Sequence, residues 1–247
     1  MMKRKIVCLP LCISIFISPA VFSMETQSDS AGVLSFMVGD IDVSSNGETW
    51  KEGYFDMDIL VGDHVRTGED SRCEVTLSDK TIVRMDENTI QQFQKKEDPT
   101  ESQKKSIFLS AGKLWLNARK IISKEDSFKV RTNKAVCAIR GTIFSVEERK
   151  TYTQVRVLKG EVASWSAILE NRNNRIQPRG GQAYLKPYPV KGPQPIAMEE
   201  WIEVIKALQQ ITIDAKGGYE KQDFNLEKIS EDPWVEWNMK RDSLMIK

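Results

Sequence analysis

Apolar and polar residues alternate with a period of two from Gly32 to Tyr188, and turn-forming residues interrupt this alternation every few positions. Short strands are predicted at Val33-Leu34 and Ile41–Val43, on either side of a Gly39-Asp40 turn, and Ser44–Gly47 is typical of a hairpin loop. The further strands predicted from the alternation are Val65, Cys73–Leu77, Thr81–Met85, Thr89–Phe93, Ile107–Leu109, Lys113–Ala118, Phe128–Arg131, Val136–Glu147, Thr151–Leu158 and Glu161–Ser166. So many short strands predict a mainly β fold, an antiparallel sandwich or barrel.

The pattern changes near the C-terminus. Closely spaced prolines predict an extended linker at 191–197. From Met198 to Ile213 the apolar residues recur at spacings of three and four, which predicts an amphipathic helix. A second short helix is predicted to open at Asp232-Pro233, with Asp as its cap and Pro at its first position. The resulting division of the chain is a leader at 1–23, a β domain at 24–190, the linker, and a helical segment at 198–247.

The N-terminus has the pattern of an export signal. Lys3-Arg4-Lys5 precedes an apolar run from Ile6 to Phe22, and Val21-Phe22-Ser23 offers small residues at the positions that a signal peptidase reads. We therefore expect cleavage after Ser23 and an exported, periplasmic or envelope protein. The alternative is an uncleaved membrane anchor, although the run is shorter than the roughly 20 residues that a spanning helix needs.

The overall charge does not indicate a class of partner. The chain carries 36 basic and 35 acidic residues, so no long-range field favours nucleic acid or an anionic membrane. We expect no nucleic-acid partner.

One strand pattern contains an unusual interruption. In Phe128–Phe144 the alternating run is broken by Arg140-Gly141-Thr142, and glycine inside a strand marks a bulge or the close approach of another group. A second distinctive segment, Leu60–Leu77, contains Gly62-Asp63 followed by Thr67-Gly68.

In chain order, these segments resemble the FecR domain family across about residues 32 to 188. The resemblance implies a jelly-roll-like sandwich, and the residue spacing beyond it predicts the short C-terminal helical segment. The matching blocks are Leu60–Leu77, Leu77–Met85, Leu109–Leu116, Phe128–Val146, Val155–Val162 and Gly181-Gln182. The motif positions carried over are Gly62, Asp63, Thr67, Gly68, Gly112, Arg140, Gly141, Thr142 and Gly160.

Named members of this family receive a signal from a TonB-dependent outer-membrane receptor and relay it through a membrane helix to a sigma-factor regulator. Only five residues precede the apolar run in this sequence, so the relay and iron regulation are not carried over. The resemblance implies an exported protein-interaction or signal-sensing module with an envelope protein as partner.

The sequence contains no constellation typical of an enzyme. His64 is the single histidine, and no phosphate loop, GxSxG or CxxC is present. Asp56, Asp58 and Asp63 are separated by a predicted strand, which argues against a calcium site. We therefore expect no catalytic residue, no metal and no cofactor.

Two features allow two interpretations each. Arg140 either folds over the sheet and pairs with Asp63, Asp79 or Asp86, or is an exposed contact for an acidic ligand. Cys73 and Cys137 are either a disulfide, which an exported chain permits, or two apolar core residues.

The alternative functions depend on aromatic and apolar side chains. Trp201, Leu208 and Trp234 are candidate interaction residues, because the apolar face of the tail must pack either on the sandwich or on a partner. A cell-wall or carbohydrate-binding sandwich, with peptidoglycan or polysaccharide as ligand, would instead require exposed rings along one groove. The available rings are Trp50, Tyr54, Trp115, Trp165 and Tyr184.

Overall fold

The computed structural model describes residues 29–94, 105–118, 128–139, 141–169 and 202–244. The leader and its cleavage site, Arg140, Tyr184, the proline-rich linker and Trp201 lie outside the described residues. The predictions made for them, and the predicted domain boundaries, stay predictions. Within the described ranges, no helix combines the length and apolar character needed to cross a membrane.

The fold is mainly β, and its strands form two sheets. Across sheet A the order is β4 (Asp58–Leu60), β1 (Ser30–Val38), β6 (Arg72–Leu77), β7 (Ile82–Met85), the second half of β9 (Lys105–Asn117), β12 (Ile143–Glu148), β13 (Tyr152–Lys159), β16 (Gln209–Asp214) and β17 (Tyr219–Asp223). Across sheet B it is β3 (Lys51–Glu52), β2 (Ile41–Ser44), β5 (His64–Thr67), β8 (Ile90–Gln94), the first half of β9, β10 (Phe128–Arg131), β11 (Ala135–Ile139), β14 (Glu161–Ser166) and β15 (Glu203–Lys206). Among these pairings only β9 with β10 is parallel, so the predicted antiparallel sandwich is confirmed.

Strand β9 belongs to both sheets. Its first half pairs with β8 and β10, and its second half pairs with β7 and β12. Gly112 lies where the strand passes from one sheet to the other, with φ of +97°. A Cβ atom there would lie 2.2 Å from Thr89 Oγ1 and 2.5 Å from Thr89 Cα. Only glycine fits this crossing, which explains the glycine in the third motif block.

The core lies between the sheets and is made from the inward positions of both. Leu34, Val83 and Leu116 from sheet A join Val65 and Val130 from sheet B in one fully buried apolar cluster. The alternation in the sequence therefore predicted the correct inward face, because successive side chains point to opposite faces of a strand.

Cys73 and Cys137 are both free and fully buried in this core. Cys73 lies in β6 of sheet A, and Cys137 lies in β11 of sheet B. The Cys137 Sγ is 3.7 Å from Ser164 Oγ. The structure thus contains no disulfide between them, and the core interpretation is the one that describes their positions.

The helix predicted from Met198 to Ile213 is wrong over the residues that the structure describes. Strands β15 and β16 form there, joined by a turn in which Leu208 has φ of +64°. Ile205 pairs with Val162 of β14, and Ile211 pairs with Val155 of β13. The turn shifts the strand alternation, which produces the spacing of three and four that resembles a helix.

Two helices follow the last strand. The short α1 (Leu226–Ile229) is capped by Asn225, whose side chain accepts hydrogen bonds from the amides of Glu227 and Lys228. The longer α2 (Pro233–Leu244) begins where the sequence predicted, and Asp232 Oδ1 accepts a hydrogen bond from the Trp234 amide at 2.9 Å. It packs on the outer face of sheet A.

Candidate functional site

The first motif block includes the loop before β5 and the turn after β5. Asp63 Oδ2 accepts a hydrogen bond from the Leu60 amide at 2.9 Å, and Gly62 has φ of +107°. Thr67 Oγ1 donates to the Asp86 carbonyl at 2.6 Å, and the Gly68 amide donates to the carbonyl of Asp40. These side chains satisfy buried backbone groups, so their role in the described structure is to fix the fold.

The Gly141-Thr142 motif marks the passage of the chain from β11 in sheet B to β12 in sheet A. The sequence predicted one interrupted strand here, whereas the structure has two strands in different sheets. Thr142 Oγ1 donates to the Glu161 carbonyl at 2.9 Å, and a Cβ atom on Gly160 would lie 3.1 Å from the Gly141 carbonyl oxygen. The close approach predicted from Gly141 is therefore between two loops of the same chain, the β11–β12 loop and the β13–β14 loop.

Two of the three carboxylates proposed as partners of Arg140, Asp63 and Asp86, make contacts with described residues. Asp63 binds the Leu60 amide, as described above. Asp86 pairs with Arg72 at 3.0 Å and with Lys113 Nζ at 3.5 Å.

A buried polar cluster ties the two sheets together at the β10–β11 turn. Lys134 Nζ donates to Glu148 Oε1 and to the carbonyl of Arg149, the latter at 2.7 Å. Thr153 Oγ1 donates to Glu148 Oε2 and lies 2.8 Å from Thr132 Oγ1. Every charged group in this cluster has a partner, which is what burial of an ion pair requires.

A larger polar cluster lies between sheet A and α2. Arg84 of β7 has no exposed surface, and its Nε donates to Glu74 Oε2 at 2.6 Å. Its Nη1 donates to Asp242 Oδ1 of α2 at 2.7 Å. Trp115 of β9 donates from Nε1 to the other oxygen, Asp242 Oδ2, at 3.0 Å. One carboxylate of the helix is thus held by two donors on neighbouring strands.

Aromatic rings and guanidinium groups surround this cluster. Trp234 and Trp237 of α2 stack with ring centroids 5.4 Å apart, and Phe36 of β1 lies 5.7 Å from Trp237. The Arg241 guanidinium lies 4.3 Å from the centre of the Phe36 ring, and Arg72 lies 5.4 Å from that of Trp234. The helix is therefore fixed to the sheet by charge and aromatic contact together.

We call the outer side chains of sheet A that contact α2 the helix-docking face, and its central members are Phe36, Glu74, Arg84 and Trp115. Register pairing places Phe36 beside Glu74, Glu74 beside Arg84, and Arg84 beside Trp115. They form one row across four strands, on the side of the sheet opposite the core.

From the sequence, Trp115 was named only as one of the available aromatic rings, and Glu74, Arg84 and Asp242 were missed. Arg84 and Asp242 are 158 positions apart, so no local pattern joins them. One signal was available, because Trp234, Asn238 and Asp242 recur every four residues along the predicted second helix and so share one face.

A second surface lies at the edge of the sandwich where β15 ends sheet B and β17 ends sheet A. We call it the hairpin surface; its members are the exposed apolar side chains of Ile202, Val204, Leu208 and Tyr219. Tyr219 Oη donates to Glu203 Oε1 at 2.7 Å, and Lys221 Nζ donates to the Val204 carbonyl at 2.7 Å, so β15 and β17 are held side by side. The hydrogen bond to Glu203 raises the pKa of Tyr219.

The predicted interaction residues differ in exposure. Trp234 is 3% exposed and packs on sheet A, so the part of the tail that carries it packs in cis. Leu208 is 42% exposed on the hairpin surface.

The rings considered for carbohydrate binding do not share one groove among the described residues. Trp115 is buried under α2, and Trp165 is half-buried on β14 of sheet B. Trp50 lies beneath the Arg66 guanidinium at 4.3 Å, and that guanidinium is paired with Asp42. Tyr54 is exposed in the β3–β4 loop.

The described residues contain no group of three or more His, Cys, Asp or Glu side chains placed to hold a metal ion. Asp56 and Asp58 are exposed, and Asp63 is engaged with the Leu60 amide. His64 lies in β5 with its ring 6.5 Å from that of Trp50.

Residues 63–163 match the model of the family described as FecR, FecR protein, so this part of the chain is a FecR domain, as its ordered motifs predicted. Two crystal structures of a protein from Parabacteroides distasonis ATCC 8503, named there as a candidate anti-sigma factor, are similar to this chain. In each, the TM-score is 0.47 and the sequence identity is 16%, and the alignment covers 68% of this chain and 62% of that protein. This chain thus spans less than two thirds of that protein. No curated protein matches the chain.

Proposed function

We propose that this chain is a non-enzymatic, exported FecR-domain protein that binds an envelope protein in the periplasm as part of a signal-sensing module. The observation that carries the proposal is the hairpin surface, where four large apolar side chains on β17, on β15 and on the residues that flank β15 are exposed. Grouped apolar side chains on a protein surface mark sites of association.

The position of this surface supports the proposal. It lies beyond residue 163, where the FecR match ends, and the described motif residues inside the match bind other groups of the same chain. Partner choice is therefore assigned to side chains outside the motif. The FecR domain then serves as a rigid support that holds β15 and β17 at its edge.

The test is site-specific photo-cross-linking in the envelope fraction with a C-terminally tagged chain. A photoreactive residue at Leu208 is expected to form an adduct with one protein partner. The same residue at Val38, which is 49% exposed on β1, is the matched control and is expected to form none. Sequencing the N-terminus of the recovered chain tests export, with Met24 as the expected start.

A Leu208→Asp variant is expected to lose this partner without a lower melting temperature, because the side chain is exposed in a turn. Adducts of equal yield at both sites would contradict the proposal. Recovery with peptidoglycan or polysaccharide alone would favour the wall-binding alternative, and an intact Met1 would favour a membrane anchor.

A further inference from the structure

The contact between Asp242 and sheet A has the geometry of a carboxylate-binding site. Arg84 Nη1 binds one oxygen at 2.7 Å, and Trp115 Nε1 binds the other at 3.0 Å. Both donors are on strands, and Arg84 is held in place by Glu74 from the other side. Two fixed donors on a rigid sheet recognise a carboxylate with defined position and direction.

The face around this site also selects the shape of what binds. Trp234 contacts the sheet in the first turn of α2, and Asp242 reaches the donors eight residues later, about 12 Å along a helix. Trp237 packs on Phe36 between them. The ligand that fits is a helix with aromatic residues near its start and an acidic residue two turns further on.

The attachment of α2 lets it leave without disturbing the sandwich. No strand follows it within the described residues, and none of the side chains between β17 and α2 (residues 224–232) is fully buried. The contact depends on buried charges, and loss of their hydration offsets much of the attraction between them. An interface of this kind selects its partner strongly while holding it with modest affinity.

We propose that the helix-docking face is a binding site for a helix of a partner protein, that α2 occupies this site in cis, and that the partner helix displaces it. The partner helix carries an aromatic residue and an Asp or Glu eight positions apart, as Trp234 and Asp242 are. This site is separate from the hairpin surface and does not depend on it.

The probe for this site is a fluorescein-labelled synthetic peptide of residues 231–247, added in trans to the full chain and followed by fluorescence anisotropy. The cis helix competes, so the apparent Kd equals the intrinsic Kd divided by the open fraction. Asp242→Asn in the chain weakens only the cis occupant, and we expect the peptide to bind this variant at least 10-fold more tightly than wild type. Lys240→Ala, on the exposed side of the same helix, is the matched control and should leave the affinity unchanged.

A substitution in the peptide complements the substitution in the chain. A peptide with Asn in place of Asp242 is expected to bind the Asp242→Asn chain at least 10-fold more weakly than the unaltered peptide. Amide hydrogen exchange should speed up in 233–244 of the chain when the unaltered peptide is added, while the strand amides stay protected.

Equal peptide affinity for the wild-type and Asp242→Asn chains would overturn the proposal, as would unchanged exchange in α2. Because that variant must be folded, its melting curve is recorded first, and Arg241→Ala, which loses a rim contact to Glu74, is a second way to loosen the helix. If mixed chains exchange α2 and form dimers by sedimentation, the occupant is a second copy, and the partner proposal fails. Cross-linking at Leu208 is unaffected by any of these outcomes, so the two proposals fail separately.

Discussion

Sheet A makes two interfaces, and they differ in chemistry. Its inner side, facing sheet B, presents apolar residues such as Val75 and Val83, paired across β6 and β7. Its outer side, facing α2, presents Glu74 and Arg84, one position away on the same strands. The apolar side gains stability from any well-packed neighbour, whereas the charged side requires a matching partner. The inner interface therefore maintains the fold, and the outer one selects what binds.

The largest effect is expected from the apolar interface. Phe144→Ala removes a fully buried ring of sheet A and leaves a cavity, which should lower the free energy of unfolding by about 3–5 kcal/mol. Urea denaturation followed by tryptophan fluorescence measures this. Val38→Ala, at an exposed position, is the control. A loss below about 1 kcal/mol would mean that the two sheets are not tightly packed at this point.

A substitution in the charged interface should lower the free energy of unfolding by a smaller amount. Asp242→Asn keeps the shape of the side chain but removes its charge beside Arg84, which should cost about 1–3 kcal/mol. The same denaturation assay applies, and a double-mutant cycle with Trp115→Phe should show that the two losses are coupled, since both groups share one carboxylate. Additive losses would show that Trp115 and Asp242 do not interact in solution.

A buried polar side chain lies on the inner side of sheet B, and its replacement should stabilise the protein. Gln91 is fully buried with Phe93 on the inner side of β8, and neither its amide nitrogen nor its carbonyl oxygen has a hydrogen-bond partner. Gln91→Met should raise the free energy of unfolding by about 1–3 kcal/mol, because an unsatisfied buried amide is removed. A decrease would instead show that the amide is hydrogen-bonded in solution.

The core also holds a thiol whose ionisation is suppressed. Burial raises the pKa of Cys137 from 9.0 to about 12. The neutral thiol is favoured by folding, so this contribution is complete below pH 9 and is lost as the pH rises toward 12. At pH 10 the loss should be roughly 1 kcal/mol relative to pH 7. Urea denaturation of wild type and Cys137→Ala at both pH values checks this, and an identical pH dependence in the two proteins would contradict it.

The smallest effect is expected outside both interfaces. The Arg66–Asp42 pair lies on the exposed side of sheet B, with 42% and 32% of the two side chains accessible. Asp42→Ala should change the free energy of unfolding by less than about 1 kcal/mol, because water and salt screen exposed charges. A larger loss would mean that the stack of Arg66 on Trp50 depends on Asp42 and contributes to the fold.

The strands of the FecR domain could be predicted because their cause is local. Each half-buried strand alternates between core and solvent, and this alternation is written in the sequence at Cys73–Leu77 as clearly as in the structure. The segment that forms β15 and β16 was mispredicted as a helix for the same local reason. Its apolar residues fit either period, and pairing with β13 and β14 decides between them.

The candidate sites were less predictable than the fold. Leu208 was named from the sequence as part of a helix, yet it is exposed because it lies in the turn where the chain passes from β15 in sheet B to β16 in sheet A. Trp234 was named as a residue that packs either on the sandwich or on a partner, and sheet A covers it. In both cases the residue type pointed to an interaction, and the position of the residue relative to distant strands determined which interaction it makes.

The sequence by itself determined the strand alternation, the inward face of the sandwich and the motif order of the FecR domain, because these depend on neighbours a few residues apart. Only the tertiary structure decided that Arg84 and Trp115 bind the carboxylate of Asp242. These three residues come from two strands and a helix that are far apart in sequence. Their attraction acts only once the sheet has formed and has excluded water from the space between them.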